Sequence, residues 1–237
     1  MEIWMKIFDD IVGDIRNSVY KENDKMPSEN ILASKYQVPR MDIRLAYKRL
    51  TEMGYIYSVQ GKGRYFKGSP QKIQLHLAGN TSFTRKMKEQ GINLKSVNIF
   101  CEKIQFRTKI YQKLRVSKDI RVYKVGRLRY VDDEPVALHI SYVAESVFPN
   151  IEREGKNIKS MFDFYRQKGF TEYYHTYSIL NTAIANNYER ELFNCPSITP
   201  VIIIETQCMD KASDIVLERT EIIYRGDRFS YRIFPSK

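Results

Sequence analysis

Cationic side chains fall into two patterns that chemistry could use. Residues 35–67 carry eight of them (Lys35, Arg40, Arg44, Lys48, Arg49, Lys62, Arg64 and Lys67) against only Asp42 and Glu52, whereas residues 1–34 carry four basic and seven acidic side chains. A local excess of that size suits a polyanionic partner. The second pattern is smaller. In "YKVGRLRY", Arg127 and Arg129 stand two apart, so a strand would place both on one face. Two guanidinium groups side by side among apolar neighbours repel unless an anion or a carboxylate lies between them. An internal Arg–Glu network or a solvated face would also account for the pair.

The totals exclude several classes. The net charge is +11 over 237 residues, with 43% hydrophobic content, and the remainder of the chain is basic too, so the total alone locates no surface. No apolar run reaches the roughly 18 residues of a membrane span. "MEIWMKIFDDIVGDIR" carries acids early and has no small-residue cleavage site, so no signal peptide and a cytoplasmic location are expected. Cys101, Cys195 and Cys208 are odd in number and scattered, and His76, His139 and His175 lack metal-ligand spacing. No metal and no cofactor are expected. The chain also shows no nucleophile–base pair and no phosphate loop.

The elements that must hold these residues can be read from spacing. Trp4, Ile7, Phe8, Ile11, Val12, Ile15 and Val19 follow the i, i+3/i+4 rhythm of one helix face. "PSENILASKY" predicts a second helix, with Ser28 as N-cap and Glu29 in the first turn, where the dipole favours an acid. Pro39 can open a third, its missing N–H costing nothing there. Ile43, Ala46, Tyr47, Leu50 and Met53 form the buried stripe of that helix, and Gly54 ends it. "YIYSV" and "RYF" then read as short strands about the glycine turn "QGKG". At 100° per residue, Arg40, Arg44 and Lys48 lie within about 80° of one another, while Asp42 points roughly 160° from Arg44. Asp42 therefore starts the helix on the opposite flank. A helix-starting acid explains it; acceptance from a cytosine amino group or steering of an arginine are the alternatives.

Three helices and a hairpin make a winged helix-turn-helix. "KMPSENILASKYQVPRMDIRLAYKRLTEMGYIYSVQGKGRYF" resembles the DNA-binding domain of GntR-type bacterial transcription regulators, through "PSE", "V-x-R-x-x-x-R-x-A", "L-x-x-x-G-x-I" and the "G-x-G" wing. The resemblance implies that double-stranded operator DNA meets Ser28, Glu29, Arg40, Arg44, Lys48, Arg49, Gly61, Lys62, Gly63 and Arg64. Arg40 and Arg44 can fork onto guanine or hold phosphate, and Lys48 and Arg49 suit phosphate. Gly61 and Gly63 let the wing backbone approach the minor groove, with Lys62 and Arg64 supplying charge. Pro39 and Asp42 depart from the Ser-Arg-x-Thr that this family commonly has, so phosphate contacts on that flank are expected to be weaker.

Residues 1–68 are thus expected to form the DNA-binding domain, 69–80 a Gly/Ser/Pro-containing linker, and 81–237 a second domain. "SFTRKMKEQG", "RTKIYQKLRV", "SMFDFYRQKG" and "NNYERELFNC" read as helices. "LKSVNIFCEKIQ" and "EYYHTYSILNTAIA" read as strands, and "IRVYKVGRLRYVDDEPVALHISYV" as two strands around "DDEP". "PVIIIETQCMD", "DIVLERTEIIY" and "RFSYRIF" read as an antiparallel meander. Two strand–acidic turn–strand units echo one another. The fold class is α+β: an N-terminal winged helix-turn-helix, then an antiparallel sheet with helices.

Over most of residues 80–234 the chain resembles the UTRA effector-binding domain of the HutC subfamily, through "SFTRKMKEQG", "RLRYVDDEPVA", "SMFDFY" and "YRGDRF". That domain is chorismate-lyase-like, which raises an enzyme as the rival reading; a structural DNA-binding protein without ligand is a third. The resemblance implies a small-molecule effector, often a phosphorylated sugar, contacted by Phe83, Thr84, Arg127, Arg129, Ser160, Glu218 and Tyr224. His139 stands where amino-sugar binders tend to have glutamate. It is either structural or a pocket group, and in the pocket it could become a cation and favour a more anionic ligand. Phe162 stands where tyrosine is frequent. A homodimer reading a palindrome is expected, since one winged helix makes too few contacts for operator-grade affinity.

Overall fold

A computed structural model describes residues 2–68, 72–76 and 83–232. Backbone contacts divide the chain into two units, Met1–Gln71 with Ile184–Thr199, and Lys72–Ala183 with Pro200–Lys237.

In the first unit α1 (Ile3–Arg16), α2 (Glu29–Tyr36) and α3 (Arg40–Glu52) precede a hairpin of β1 (Ile56–Val59) and β2 (Gly63–Phe66). The apolar stripes meet as expected: Ile7, Ile11, Ile15, Leu32, Ile43, Ala46, Tyr47, Leu50, Ile56 and Phe66 are all buried in one core. Val19 departs from the stripe because α1 ends at Arg16, and it is exposed. Ser28 caps α2, its hydroxyl oxygen accepting from the Ile31 N–H. Pro39 sits one residue earlier than expected, as the N-cap of α3, which puts Asp42 at the third helical position. β1 and β2 pair antiparallel, Ile56 opposite Phe66. The wing turn needs backbone that only glycine adopts freely, with φ of +73° at Gly61 and +114° at Gly63.

The first unit is not one stretch of chain. Helix α8 (Asn187–Phe193), set by a capping box between Asn186 and Glu189, belongs to it together with the segment that follows. Pro196 lies where a side chain on Gly54 would stand, and the Ile198 N–H donates to the Glu52 carbonyl at the end of α3. Contacts group residues 184–199 with the winged helix, where the sequence reading sets them in the second domain.

The second unit is built on six strands in the order β4 (Leu94–Lys103), β5 (Val122–Val131), β6 (Glu134–Ala144), β9 (Val216–Arg225), β8 (Pro200–Asp210), β7 (Tyr173–Ile184). Asp132 and Asp133 both take positive φ, which makes the two-residue turn that twisted hairpins favour. The two echoed hairpins, β5–β6 and β8–β9, join through antiparallel β6 and β9. Helices α4 (Phe83–Glu89), α5 (Thr108–Leu114), α6 (Ile151–Glu154) and α7 (Met161–Gln167) complete the unit. The helix expected from "SFTRKMKEQG" begins at Phe83, its preceding residues lying outside those described.

Two expectations need correction. Ile73–His76, read as linker, form strand β3; residues 69–71 and 77–80 lie outside the described ones. The last strand, β10 (Phe229–Arg232), does not extend the antiparallel meander. It pairs in parallel with β3, Phe229 opposite Ile73. Burial explains the choice: Ile73, Leu75 and Phe229 are covered together with Met87, Val131 and Tyr224 in one core.

Candidate DNA interface and effector pocket

On the first unit, Arg40 and Arg44 project from α3, one turn apart, and Arg64 comes from the wing. All three converge on the Glu29 carboxylate of α2, at 3.5, 3.3 and 2.9 Å. Glu29 is 12% exposed, while Arg40 and Arg44 keep most of their surface in solvent. Burial acts to raise the Glu29 pKa, but hydrogen bonds from Arg64 and Arg44 outweigh it and hold the carboxyl below its ordinary value. The Arg64 guanidinium also lies over the Tyr47 ring, 4.8 Å from its centre. Glu29, expected on the DNA-facing set, is thus the group that ties helix and wing cations together.

Lys48, Gly61, Lys62 and Gly63 are exposed, and Ser28 is occupied as a helix cap. Arg49 is set apart from the stripe and pairs with Glu52 at 3.5 Å on its own helix. The cationic residues of α3 and the wing that lie with this cluster or are exposed beside it are Arg40, Arg44, Lys48, Lys62 and Arg64.

In the second unit, all eight residues expected at a ligand line one cavity of about 130 Å³: Phe83, Thr84, Arg127, Arg129, His139, Ser160, Glu218 and Tyr224. Strand alternation explains the gathering. Arg127 and Arg129 share one face of β5, and Glu218, Thr220, Ile222 and Tyr224 share one face of β9. His139 of β6 lies directly opposite Arg127 in the ladder. Ser160 caps α7, accepting from the Asp163 N–H at 3.3 Å, and also faces the cavity. Reasoning from sequence missed Lys86, His175, Ser178, Thr206, Thr220 and Tyr231, which line the same space. Thr220 could have been found by alternation along β9 from Glu218, two residues earlier on the same strand.

The chemistry of this cavity is set by burial. Arg127 and Arg129 are each 3% exposed. Arg127 donates through Nη2 to Ser141 Oγ, and Arg129 through Nη1 to Ser96 Oγ at 2.5 Å and to the Lys159 carbonyl at 2.9 Å. Their Nε atoms have no partner, nor do His139 Nε2, Glu218 Oε2 and Thr220 Oγ1. Burial lowers the pKa of both guanidinium groups; the neighbouring Arg127 charge lowers Arg129 further, and Glu218 partly offsets the fall at Arg127. A carboxylate thus acts on Arg127, while none is among the groups acting on Arg129.

The surroundings of His139 disfavour the cation. Burial first, then Arg129 and Arg127, hold its pKa well below 6.5, which favours the neutral ring. It packs between Phe83 and Tyr224, with ring centres 5.0 and 5.6 Å away. Phe162 lines the pocket and rests on Tyr173 at 4.6 Å, an apolar contact that a phenol would not improve.

Among the described residues no group of three or more His, Cys, Asp or Glu could hold a metal ion, and no helix is long and apolar enough to cross a membrane. The three cysteines are free, Cys208 fully buried.

A winged helix with a paired-cation face, followed by a sheet unit enclosing a cation-lined cavity, defines a DNA-binding transcription regulator with a separate ligand module. The comparisons give the family. Residues 5–66 match "Bacterial regulatory proteins, gntR family" and residues 89–230 match "UTRA domain". The chain is 30% identical over 185 residues to the uncharacterized HTH-type transcriptional regulator YurK of Bacillus subtilis (strain 168), covering 78% of this chain and 76% of that protein. It is 24% identical over 230 residues to the HTH-type transcriptional repressor NagR of the same organism, covering 97% and 93%. Among solved structures, that of PhnF from Mycobacterium smegmatis superposes with a TM-score of 0.62 at 20% identity, covering 97% of this chain and 98% of that one. The chain belongs to the gntR family of bacterial regulatory proteins, in the branch that carries a UTRA domain. That family consists of transcription regulators, which decides against the chorismate-lyase-type enzyme.

Proposed function

We propose that this regulator is a cytoplasmic repressor that binds double-stranded operator DNA as a homodimer and changes its grip when a small organic anion fills the UTRA cavity. Arg40, Arg44, Lys48, Lys62 and Arg64 meet the duplex, and Glu29 aligns three of them. Arg127, Arg129, His139, Ser160, Thr84, Phe83, Glu218 and Tyr224 meet the effector, whose class is that of a phosphorylated sugar.

One observation carries the ligand half of this reading. Arg129 is buried, faces a cavity, has an unpartnered Nε and has another guanidinium as its neighbour. A buried cation without a counter-charge costs several kcal/mol, and an anion bound at this spot removes that cost. Glu218 Oε2 and Thr220 Oγ1 supply acceptors suited to sugar hydroxyls at the same time. The repressor sign is supported by NagR, which is named a repressor and aligns over nearly the whole chain.

The test is a thermal-shift panel of phosphorylated and carboxylated sugars, followed by DNA release. A ligand at 100 times its Kd stabilises by roughly 2.7 kcal/mol. The double variant Arg127→Ala/Arg129→Ala is expected to bind operator as before and to lose both the shift and the release. Release that persists in the double variant places the anion elsewhere.

A further inference from the structure

Helix α3 carries apolar residues on two opposite sides. Ile43, Ala46, Tyr47 and Leu50 are buried in the core of the first unit. Met41 and Leu45, one turn apart, stand outside that core and are 59% and 40% exposed. At 100° per residue, Met41 points about 170° and Leu45 about 150° from the middle of the buried stripe. Lys48, also exposed, points about 150° from it. These three side chains occupy the ridge of the helix that projects farthest from the core.

The arginines lie to one side of that ridge. Arg40 and Arg44 point only about 70° and 110° from the buried middle, and both reach back to Glu29, 3.5 and 3.3 Å away. Asp42 and Arg49 fall on the opposite flank, about 90° and 110° from the same middle, and Arg49 pairs there with Glu52. The outward face is thus apolar along its centre and cationic around it. A partner for such a face must offer negative charge at its margins and an apolar group in the middle. The major groove of DNA does so: phosphates line both walls, and the thymine 5-methyl is the apolar group among the donors and acceptors of the floor.

We infer that Met41 and Leu45 read thymine methyl groups in the major groove, and so select A·T pairs in the operator. Met41 is the second residue of α3, at the end from which a recognition helix reaches base edges. Leu45 follows about 6 Å along the axis, close to two base steps of about 3.4 Å, so the pair spans two neighbouring positions of the site. The flexible, polarizable thioether of Met41 can settle against a methyl without a fixed geometry. Arg40 and Arg44, drawn toward Glu29, are left to phosphate or to a flanking guanine. This inference rests on the DNA-binding reading above and adds the base that the helix prefers.

Duplexes selected from a random-sequence library with the full-length protein supply the probe. Replacing a thymine by deoxyuridine removes the methyl and leaves every hydrogen-bonding group in place. At the thymines that face Met41 and Leu45, this exchange is expected to weaken binding roughly fourfold per methyl. Met41→Ala/Leu45→Ala is expected to bind the thymine duplex more weakly than the wild type does, and to bind the thymine and deoxyuridine duplexes equally. A wild type indifferent to deoxyuridine at every thymine overturns the assignment and leaves DNA binding standing. So does a double variant as sensitive to the exchange as the wild type. A library from which the wild type enriches nothing overturns the DNA reading itself.

Discussion

Arg64 Nη1 of the wing stands 2.9 Å from Glu29 Oε1 of α2, and Arg44 Nη2 of α3 stands 3.3 Å from the other oxygen of the same carboxylate. One acid thus links α3 to the wing through its two oxygens. Cations that would otherwise repel are held on one carboxylate. This also answers why "PRMDIR" carries an acid among arginines. Asp42 sits at the third position of α3, where it meets the helix dipole, and the acid that organises the arginines is Glu29.

Removing that organiser should separate specific from general binding. Glu29→Gln is expected to weaken operator binding by roughly tenfold, within the 1–3 kcal/mol that a well-placed arginine contributes to discrimination. Affinity for random-sequence DNA should hold or rise, because one negative charge is gone. Fluorescence anisotropy on both duplexes at several salt concentrations checks it. Equal losses on the two would make Glu29 merely structural.

Asp42→Thr should raise affinity for non-specific DNA by roughly twofold to tenfold at low salt, through loss of a negative charge near phosphates. A titration showing no change or a loss refutes the repulsion idea.

The buried histidine predicts a pH response of definite sign. His139 has its folded pKa pushed well below 6.5 by burial and then by Arg129 and Arg127. Below the unfolded pKa of about 6.5 the unfolded chain therefore binds a proton that the native ring refuses. Stability is complete above that pH and falls as pH drops below it, by up to about 1.4 kcal/mol per pH unit for this group. His175 is shifted the same way, burial being the main cause, and adds to the slope. Denaturant melts of wild type and His139→Gln from pH 7.5 to 5 should show a shallower loss in the variant. Parallel curves would mean that His139 is protonated in the native state.

Gly126 is required for room. A Cβ there would overlap the Phe100 ring of β4, beside the bulge between Asn98 and Phe100. Gly126→Ala should cost about 1–3 kcal/mol by overpacking, a fall in Tm of about 2–4 °C per kcal/mol for a chain of this size. Since Arg127 follows directly, effector response should weaken with it. Calorimetry showing an unchanged Tm would mean that Phe100 swings away freely.

The winged helix was legible from local periods and ordered motifs, and the pocket from strand alternation at Arg127 and Arg129 together with the family resemblance, which supplied Phe83, Thr84, Ser160, Glu218 and Tyr224. The rhythm of Ile43, Ala46, Tyr47 and Leu50 orients Arg40 and Arg44, and alternation from Arg127 to Arg129 and from Glu218 to Tyr224 aims four groups at one cavity. Where position depended on distant partners, the signal vanished. Ile73 and Leu75 alternate, yet only pairing with Phe229 and Tyr231, some 150 residues later, makes them a strand. Nothing local in "NNYERELFNCPSIT" shows that this helix and loop belong with the N-terminal core. The ion pairs of Glu29 with Arg64 and of Arg49 with Glu52 were likewise invisible, because side-chain partners follow from tertiary placement.

Pro196 against Gly54, and the Ile198 amide on the Glu52 carbonyl, carry a practical meaning for dissection of this molecule. The DNA-reading module is sewn from two separated stretches of polypeptide, so no single cut liberates it whole. A fragment stopped after the wing would leave the carboxyl end of α3 without the proline cover and the amide donor it has in the intact chain. Its behaviour on DNA would then understate what the full regulator can do.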